Sequence, residues 1–424
     1  MVHRRTCLGA VLLAGMLVAA GCGRGDDGST TTGPAAPVAS GPASGTITLW
    51  AQGAEGEKLP ALVKQFEAAN PGVKVEVTAI PWDAAHNKYQ TAIAGGTTPD
   101  VAQMGTTWMA DFATAFDPTP GGVDTSGMFD GAKGATQVNG ATYGVPWYVD
   151  TRVIYYRTDL AAKAGFSSPP ATWDDFKAMA KALQTKAGTK WGINLNPGGA
   201  DSFQSALPFV WSNGASLMNA DNSKWTLDTP QLADALKFYQ SFFAEGIADK
   251  NVSTAAGARE AAFVNGSTPM LIDAPSFIGQ LNQAGGAGFG SKYGVMRFPK
   301  QQSSTSFVGG SDLVVFKKAK NRDAAWKLVQ WLSGPKVQTD WYKATGDLPA
   351  VESAWDDPSL SGDPKLKVFK DQLTDVKSPP ANTAWTQVSA AADTQLERIV
   401  KSGTDPAAAL KALQSSADSI GTGA

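Results

Sequence analysis

The sequence predicts an α/β fold built on a parallel sheet. Two observations carry that prediction. Between residues 46 and 104 the chain alternates strand, helix, strand, helix, strand, the order that right-handed crossovers turn into a parallel sheet. A second run of the same kind begins near residue 151, with no short internal repeat that would build a solenoid instead. At 424 residues the chain has room for two or three domains, and 43% apolar against 17% charged residues supplies a sizeable core.

The amino terminus comes first. His3, Arg4 and Arg5 make a short positive region, and Leu8 to Ala20 is apolar. That apolar run is about half the length a helix needs to span a bilayer. Ala19-Ala20-Gly21-Cys22 then sets small residues before a cysteine. This is a secretory signal, and it resembles the bacterial lipobox, with Ala19 where leucine is commoner. In that reading residues 1–21 are removed and Cys22 is lipidated; the alternative is an ordinary signal with an incidental cysteine. Cys7 leaves with the signal, so the mature chain has no cysteine for a disulfide or a thiolate metal site. Loss of Arg4 and Arg5 takes the net charge from −2 to −4, which argues against a nucleic-acid footprint. Residues 22–45 hold the lipidated cysteine and a flexible tether of Gly, Ser, Thr, Pro and Ala. An anchor, a tether and a large body imply work just outside a membrane.

Thr46-Ile47-Thr48-Leu49-Trp50 reads as the first strand, followed by a loop AQGAEG. Leu59, Leu62, Val63 and Phe66 recur at helical spacing until Asn70-Pro71-Gly72 ends the helix. Val73, Val75 and Val77 alternate as a second strand. Ala85, Tyr89, Ala92 and Ile93 mark a second helix closed by Gly95-Gly96, and Asp100 to Met104 makes a third strand. Ligands bind beyond the carboxyl ends of such strands. Two loops stand there, 51–56 and Gly105 to Trp108. Trp108 either faces a ligand or caps a helix from Met109 to Phe116. Farther along, Val145 to Arg157 displays Trp147, Tyr148, Asp150 and Arg152 before a buried strand of Val153, Ile154, Tyr155 and Tyr156. Thr172 and Asp175 form a capping box for a helix Asp175 to Thr185. Pro269 to Asp273 and Phe307 to Phe316 read as strands, and Asp323 to Leu332 as a helix. The 13 tryptophans exceed what a core usually needs, since the indole N–H wants a partner, and they suit a concave lining.

Several chemistries are missing. The mature chain has one histidine, His86, which excludes a histidine metal cluster. No G-x-S-x-G elbow or Walker loop occurs, and GGAGFG at 285–290 reads as a loop. Carboxylate-only glycosidase chemistry stays open. No cofactor is expected.

Six segments in order carry a resemblance: FEAANPGV at 66–73, GGTTPDV at 95–101, YGVPWYVDTR at 143–152, TWDD at 172–175, FVGGS at 307–311 and AAWKLV at 324–329. Together they resemble the extracellular solute-binding proteins of ABC importers, in the carbohydrate-binding class that includes maltose-binding protein. Arg157-Thr158-Asp159-Leu160 departs from the commoner Asn-Lys-Asp-Leu. The resemblance implies a periplasmic-binding-protein-like fold of two α/β lobes joined by a hinge that the chain crosses several times. Lobe one would be 46–150 and 306–350, lobe two 151–305 and 351–424. It implies no reaction, a carbohydrate ligand, permease subunits as partners, a lipid anchor in the cell membrane and a monomer. The ligand contacts it implies are Gln52, Glu55, Thr106, Thr107 and Trp108, then Trp147, Tyr148 and Asp150 at the first hinge crossing. In the second lobe they are Phe209, Trp211, Asp273, Phe277 and Trp385, with Gly310 and Ser311 near the second crossing. Arg152 is left to stiffen the hinge, and Asp347 lies near the cleft. A sugar matches such residues, its C–H face against aromatic rings and its hydroxyls against carboxylates and amides. A polyol or glycerol phosphate binder and a secreted glycoside hydrolase are the alternatives.

Overall fold

A computed structural model describes residues 35–423 except Thr254. Cys22 and the leader lie outside the described residues. Among the described residues twelve strands are formed: β1 Gly45–Gln52, β2 Val73–Ile80, β3 Val101–Gly105, β4 Gln137–Val138, β5 Ala141–Thr142, β6 Val145–Thr151, β7 Val153–Arg157, β8 Met270–Asp273, β9 Tyr293–Met296, β10 Ser306–Val315, β11 Leu348–Pro349 and β12 Val376–Lys377.

The fold has two α/β lobes. The larger sheet runs β11-β6-β10-β3-β1-β2, with β12 on the start of β10. β1 lies parallel to β2 over its whole length and parallel to β3, as the strand–helix alternation predicts. β10 and β6 join antiparallel. The second sheet is β8-β7-β9, antiparallel. The chain passes from β6 in one sheet to β7 in the other with only Arg152 between them. Helices cover both sheets. One core packs Leu59, Leu62 and Phe66 against Ile47, Leu49 and Trp326. Another gathers Trp173, Phe176, Phe209 and Leu396. A third spans the junction, with Phe129, Val153, Tyr155 and Phe369.

Most expected elements form, with bounds shifted or widened by a few residues. The capping threonine works as expected: Thr172 Oγ1 accepts from the Asp175 amide at 3.2 Å and caps Trp173–Ala187. Asp175 is too short to reach back to the Thr172 amide, and its carboxylate takes the threonine hydroxyl at 2.7 Å instead. Two expectations are corrected. No loop separates β1 from its helix, because Gly53–Ala69 begins at the residue after the strand. Gly53 turns there at φ 50, in the left-handed region that glycine occupies freely, and Trp82 lies over it, 2.6 Å from where a Cβ would stand. The helix from Met109 to Phe116 is a turn at Thr106–Trp108, one helical turn at Met109–Phe112 and a further tight turn.

The first described residues lie along the lobe that holds the larger sheet. Arg322 donates to the carbonyls of Ala36 at 2.6 Å and Pro37 at 3.4 Å, and its Nε pairs with Asp117 at 2.7 Å. Val38 packs on the core beneath, and Ala43 is buried.

Candidate ligand cleft

The carboxyl ends of β1, β2 and β3 place three segments side by side. Gln52, Gly53 and Glu55 follow β1, Trp82 follows β2, and Thr106, Thr107 and Trp108 follow β3. Trp82 and Trp108 meet edge to face with ring centroids 5.6 Å apart. Trp82 is 39% exposed, the one large apolar side chain so open among the described residues, and Trp108 is half-buried. His86 supports the pair from below, its ring 5.4 Å from Trp108 and its Nε2 2.8 Å from Asp111 Oδ2. Trp82 follows proline directly at the end of an alternating strand. That is its only signal in the sequence.

Behind this edge runs a buried polar relay. The Gln52 amide donates to Gln103 Oε1 at 2.8 Å, and Gln52 Nε2 donates to Tyr89 Oη at 2.8 Å. Gln103 Nε2 donates to Ser311 Oγ at 3.1 Å, and Ser311 Oγ donates to Tyr148 Oη at 3.1 Å. The Tyr148 hydroxyl donates to Glu55 Oε1 at 2.9 Å. Burial, with Glu55 and Asp347 nearby, pushes the Tyr148 phenol well above its ordinary value, so it stays a donor. Ser311 reaches Tyr148 across paired strands, where β10 shifts register between Ser311 and Asp312. Gly310 permits that approach: at φ 122 a Cβ there would lie 2.2 Å from the Tyr148 carbonyl oxygen.

Glu55, Tyr148, Asp150 and Asp347 line one cavity of about 240 Å³ with Pro275 and Ser276 from the other lobe. Burial and the nearby Glu55 charge push Asp347 up to about 7, against the hydrogen bonds it accepts from Thr345 and Trp341. Asp150 Oδ2 takes Arg152 Nη1 at 2.5 Å, while its Oδ1 is shielded from solvent with no protein partner. Burial works against the Arg152 charge, but Asp150 and then Asp273 hold the guanidinium above its ordinary value. Arg152 and Asp273 open into a second cavity of about 620 Å³, lined by Asn194, Asn196, Tyr239 and Arg259. Arg259 pairs with Asp273, whose carboxyl burial still pushes up. Among the described residues no cluster of His, Cys, Asp or Glu could hold a metal ion.

The structure therefore brings Glu55, Tyr148, Asp150 and Asp347 to one cavity and Asp273 to the other, with Trp108 at the carboxyl edge of β3 and Thr106 and Thr107 half-buried beside it. Eight expected contact residues are not presented to a cavity. Trp147 is 0% exposed and stacks on Trp341 at 4.8 Å, in the core behind β6. Phe209 packs on Phe298 at 4.8 Å, Trp211 lies over Phe307 at 6.4 Å, and Phe277 packs on Tyr155 at 5.4 Å. Trp385 opens a helix but turns onto Trp225 at 6.4 Å and is 3% exposed. These rings have no free face for a sugar. Gln52 is buried in the relay rather than presented. Ser311 is likewise buried, acting through Tyr148, and Gly310 contributes conformation. Arg259, Lys250 and the asparagines at 194, 196 and 251 were not singled out from the sequence, because nothing in their local pattern sets them apart from surface polar residues.

Residues 50–339 match the family described as bacterial extracellular solute-binding protein. Among solved structures, the sugar-binding protein MalE of Xanthomonas citri superposes with a TM-score of 0.84 at 33% identity, covering 89% of this chain and 97% of that one. The GacH receptor of Streptomyces glaucescens, solved unliganded and with acarbose, has a TM-score of 0.75 at 26% identity over 89% and 98% of the two chains. The diacetylchitobiose binding protein DasA of Streptomyces coelicolor is 27% identical over 367 residues, 82% of this chain and 83% of its own length.

Proposed function

The chain belongs to the bacterial extracellular solute-binding protein family, and from that premise we propose that it captures a saccharide between its lobes and delivers it to the permease of an ABC importer. The observation that carries the reading is the exposed Trp82–Trp108 pair, set at the carboxyl edge of β1 to β3 beside a cavity of hydroxyl and carboxylate groups. The rings suit the C–H face of a pyranose. The unpartnered Oδ1 of Asp150, with Glu55 and Asp347, suits its hydroxyls. Relatives that bind diacetylchitobiose and acarbose support a di- or oligosaccharide as ligand.

Capture works by hinge closure about the β6–β7 junction and the β9–β10 return. The moving bodies are 46–150 with 306–350, and 151–305 with 351–424. Trp82, Trp108, Glu55, Tyr148 and Asp347 approach from the first body, Asp273 and Ser276 from the second, and Asp150 at the crossing. Lipidation at Cys22 holds the protein on the membrane beside its permease, and the protein works as a monomer without cofactor or catalysis. A thermal-shift screen against a saccharide panel tests this. A ligand at about 100 times its Kd should stabilise the fold by about 2.7 kcal/mol, and a panel with no shift would sink the reading. The ligand should also be recovered chemically unchanged. Steady hydrolysis, lost in Asp347→Asn or Glu55→Gln, would make the raised Asp347 a general acid and the protein a glycoside hydrolase.

A further inference from the structure

The two cavities, joined by the Asp150–Arg152 pair, are lined by opposite charges. Beside the larger sheet the lining side chains with full or partial charge are Glu55, Asp150 and Asp347. The 620 Å³ cavity is lined by Arg152, Lys250, Arg259 and Lys401, with Asp273 as its one carboxylate among the described residues. Asn194, Asn196 and Asn251 complete its polar wall.

The cations are set to receive a ligand. Arg152 commits Nη1 to Asp150, and Arg259 commits Nη2 to Asp273. A guanidinium carries five N–H donors, so each fork keeps several free. Each also rests on a ring, Arg152 over Phe307 and Arg259 over Phe277, both 5.2 Å from the centroid, which fixes the plane of the fork. Lys401 pairs with Glu397 one turn away at 2.9 Å. Lys250 has no carboxylate within 4.0 Å among the described residues. With those pairings made, Lys250 is the unbalanced charge and the two guanidiniums keep free donors beside it; a neutral sugar has hydroxyls for the asparagines but no charge to meet Lys250. A planar carboxylate or a phosphate would take two forked guanidiniums and a lysine at once.

We propose that the cleft selects a saccharide bearing an acidic group, carboxylate or phosphate, and seats that group in the Arg152–Lys250–Arg259 cavity with the uncharged sugar toward Trp82 and Trp108. The proposal rests on the carbohydrate reading above. The opposite wall fixes the orientation, since an acidic group turned around would face Glu55 and Asp150.

Titration calorimetry on the full chain with matched pairs tests it: galactobiose against digalacturonate, and trehalose against trehalose 6-phosphate. The acidic member of at least one pair should bind about tenfold tighter or better. Added salt should erode that advantage, because part of it is Coulombic. Lys250→Gln should narrow the ratio without lowering Tm, whereas Arg259→Gln also strips the partner from Asp273 and serves only as a second reading. Equal or tighter binding of the neutral members overturns the acidic preference and leaves the carbohydrate reading standing. Binding of inorganic phosphate or glycerol 3-phosphate with no saccharide bound does the reverse. If no probe binds, both fall.

Discussion

Replacing Trp108 and Trp147 by alanine in separate variants separates a ring that meets ligand from one that holds the fold. Trp108 is half-buried against Trp82, His86 and Gly105, and the part of its ring left open is what a pyranose would cover. A single indole face is roughly a third to a half of the 150–250 Å² an aromatic residue can bury, or about 60–100 Å². At about 25 cal/mol per Å² its loss removes about 1.5–2.5 kcal/mol of binding. That is about 10- to 60-fold in Kd. The fold should suffer little. Trp147 is 0% exposed and stacked on Trp341 at 4.8 Å, so its removal leaves a cavity costing about 3–5 kcal/mol of stability. Trp326, fully buried with Nε1 on Asp117 Oδ2 at 2.7 Å, is the matched control, and Trp326→Ala should lower Tm and spare affinity. Calorimetric titration with the tightest saccharide, beside melting curves for each variant, gives both numbers. Wild-type affinity in Trp108→Ala, together with weakened binding in a still-folded Trp147→Ala, would refute the assignment of the two rings.

Three further outcomes follow from particular groups. Asp347, with a folded value of about 7, holds its proton more tightly than in the unfolded chain, so its contribution to stability is fully present below about pH 4 and lost as pH rises to 7. The loss is at most about 4 kcal/mol, and denaturant melts should show a flatter slope across that window in Asp347→Asn. Gly310→Ala forces φ 122 on a residue with a Cβ and drives that carbon to 2.2 Å from the Tyr148 carbonyl oxygen; it should cost at least about 2 kcal/mol. Gly309→Ala, which meets only the edge of the Phe307 ring, should cost less by the same urea titration. Cys22→Ser should shift the intact protein from the membrane fraction to the medium, and retention at the membrane would refute the anchor.

The fold was legible because its signals are local. Val73, Val75 and Val77 announce a strand by alternation, and Thr172 announces a helix by its hydroxyl. The first β–α turn was less so, since a glycine at φ 50 lets helix follow strand with no loop, and a sequence read residue by residue expects one. The site divides similarly. Glu55, Tyr148 and Asp150, pointed to by a resemblance in residues 143–152 and by the strand-end rule, came to share one cavity. Trp147 did not, because alternation along β6 sends neighbouring side chains to opposite faces, and which of Trp147 and Tyr148 faces inward depends on where Trp341 packs, almost two hundred residues later. Trp385 met the same difficulty with Trp225. Arg259 acquires meaning only through Asp273 and Phe277, which reach it by folding.

The grip of Arg322 on the Ala36 and Pro37 carbonyls has a mechanical consequence. Tension arriving along the amino-terminal segment reaches this clasp first, and it is carried into Asp117, whose amide holds the end of β10, and into the start of Arg322–Leu332. Should the clasp slip, the load passes to β1, which lies between β2 and β3 and is bonded to β2 along all eight residues. A pull along that strand acts in shear on every bond of the ladder together, instead of peeling them one by one. A leash attached there can be tugged hard without disturbing Arg152, where the lobes turn.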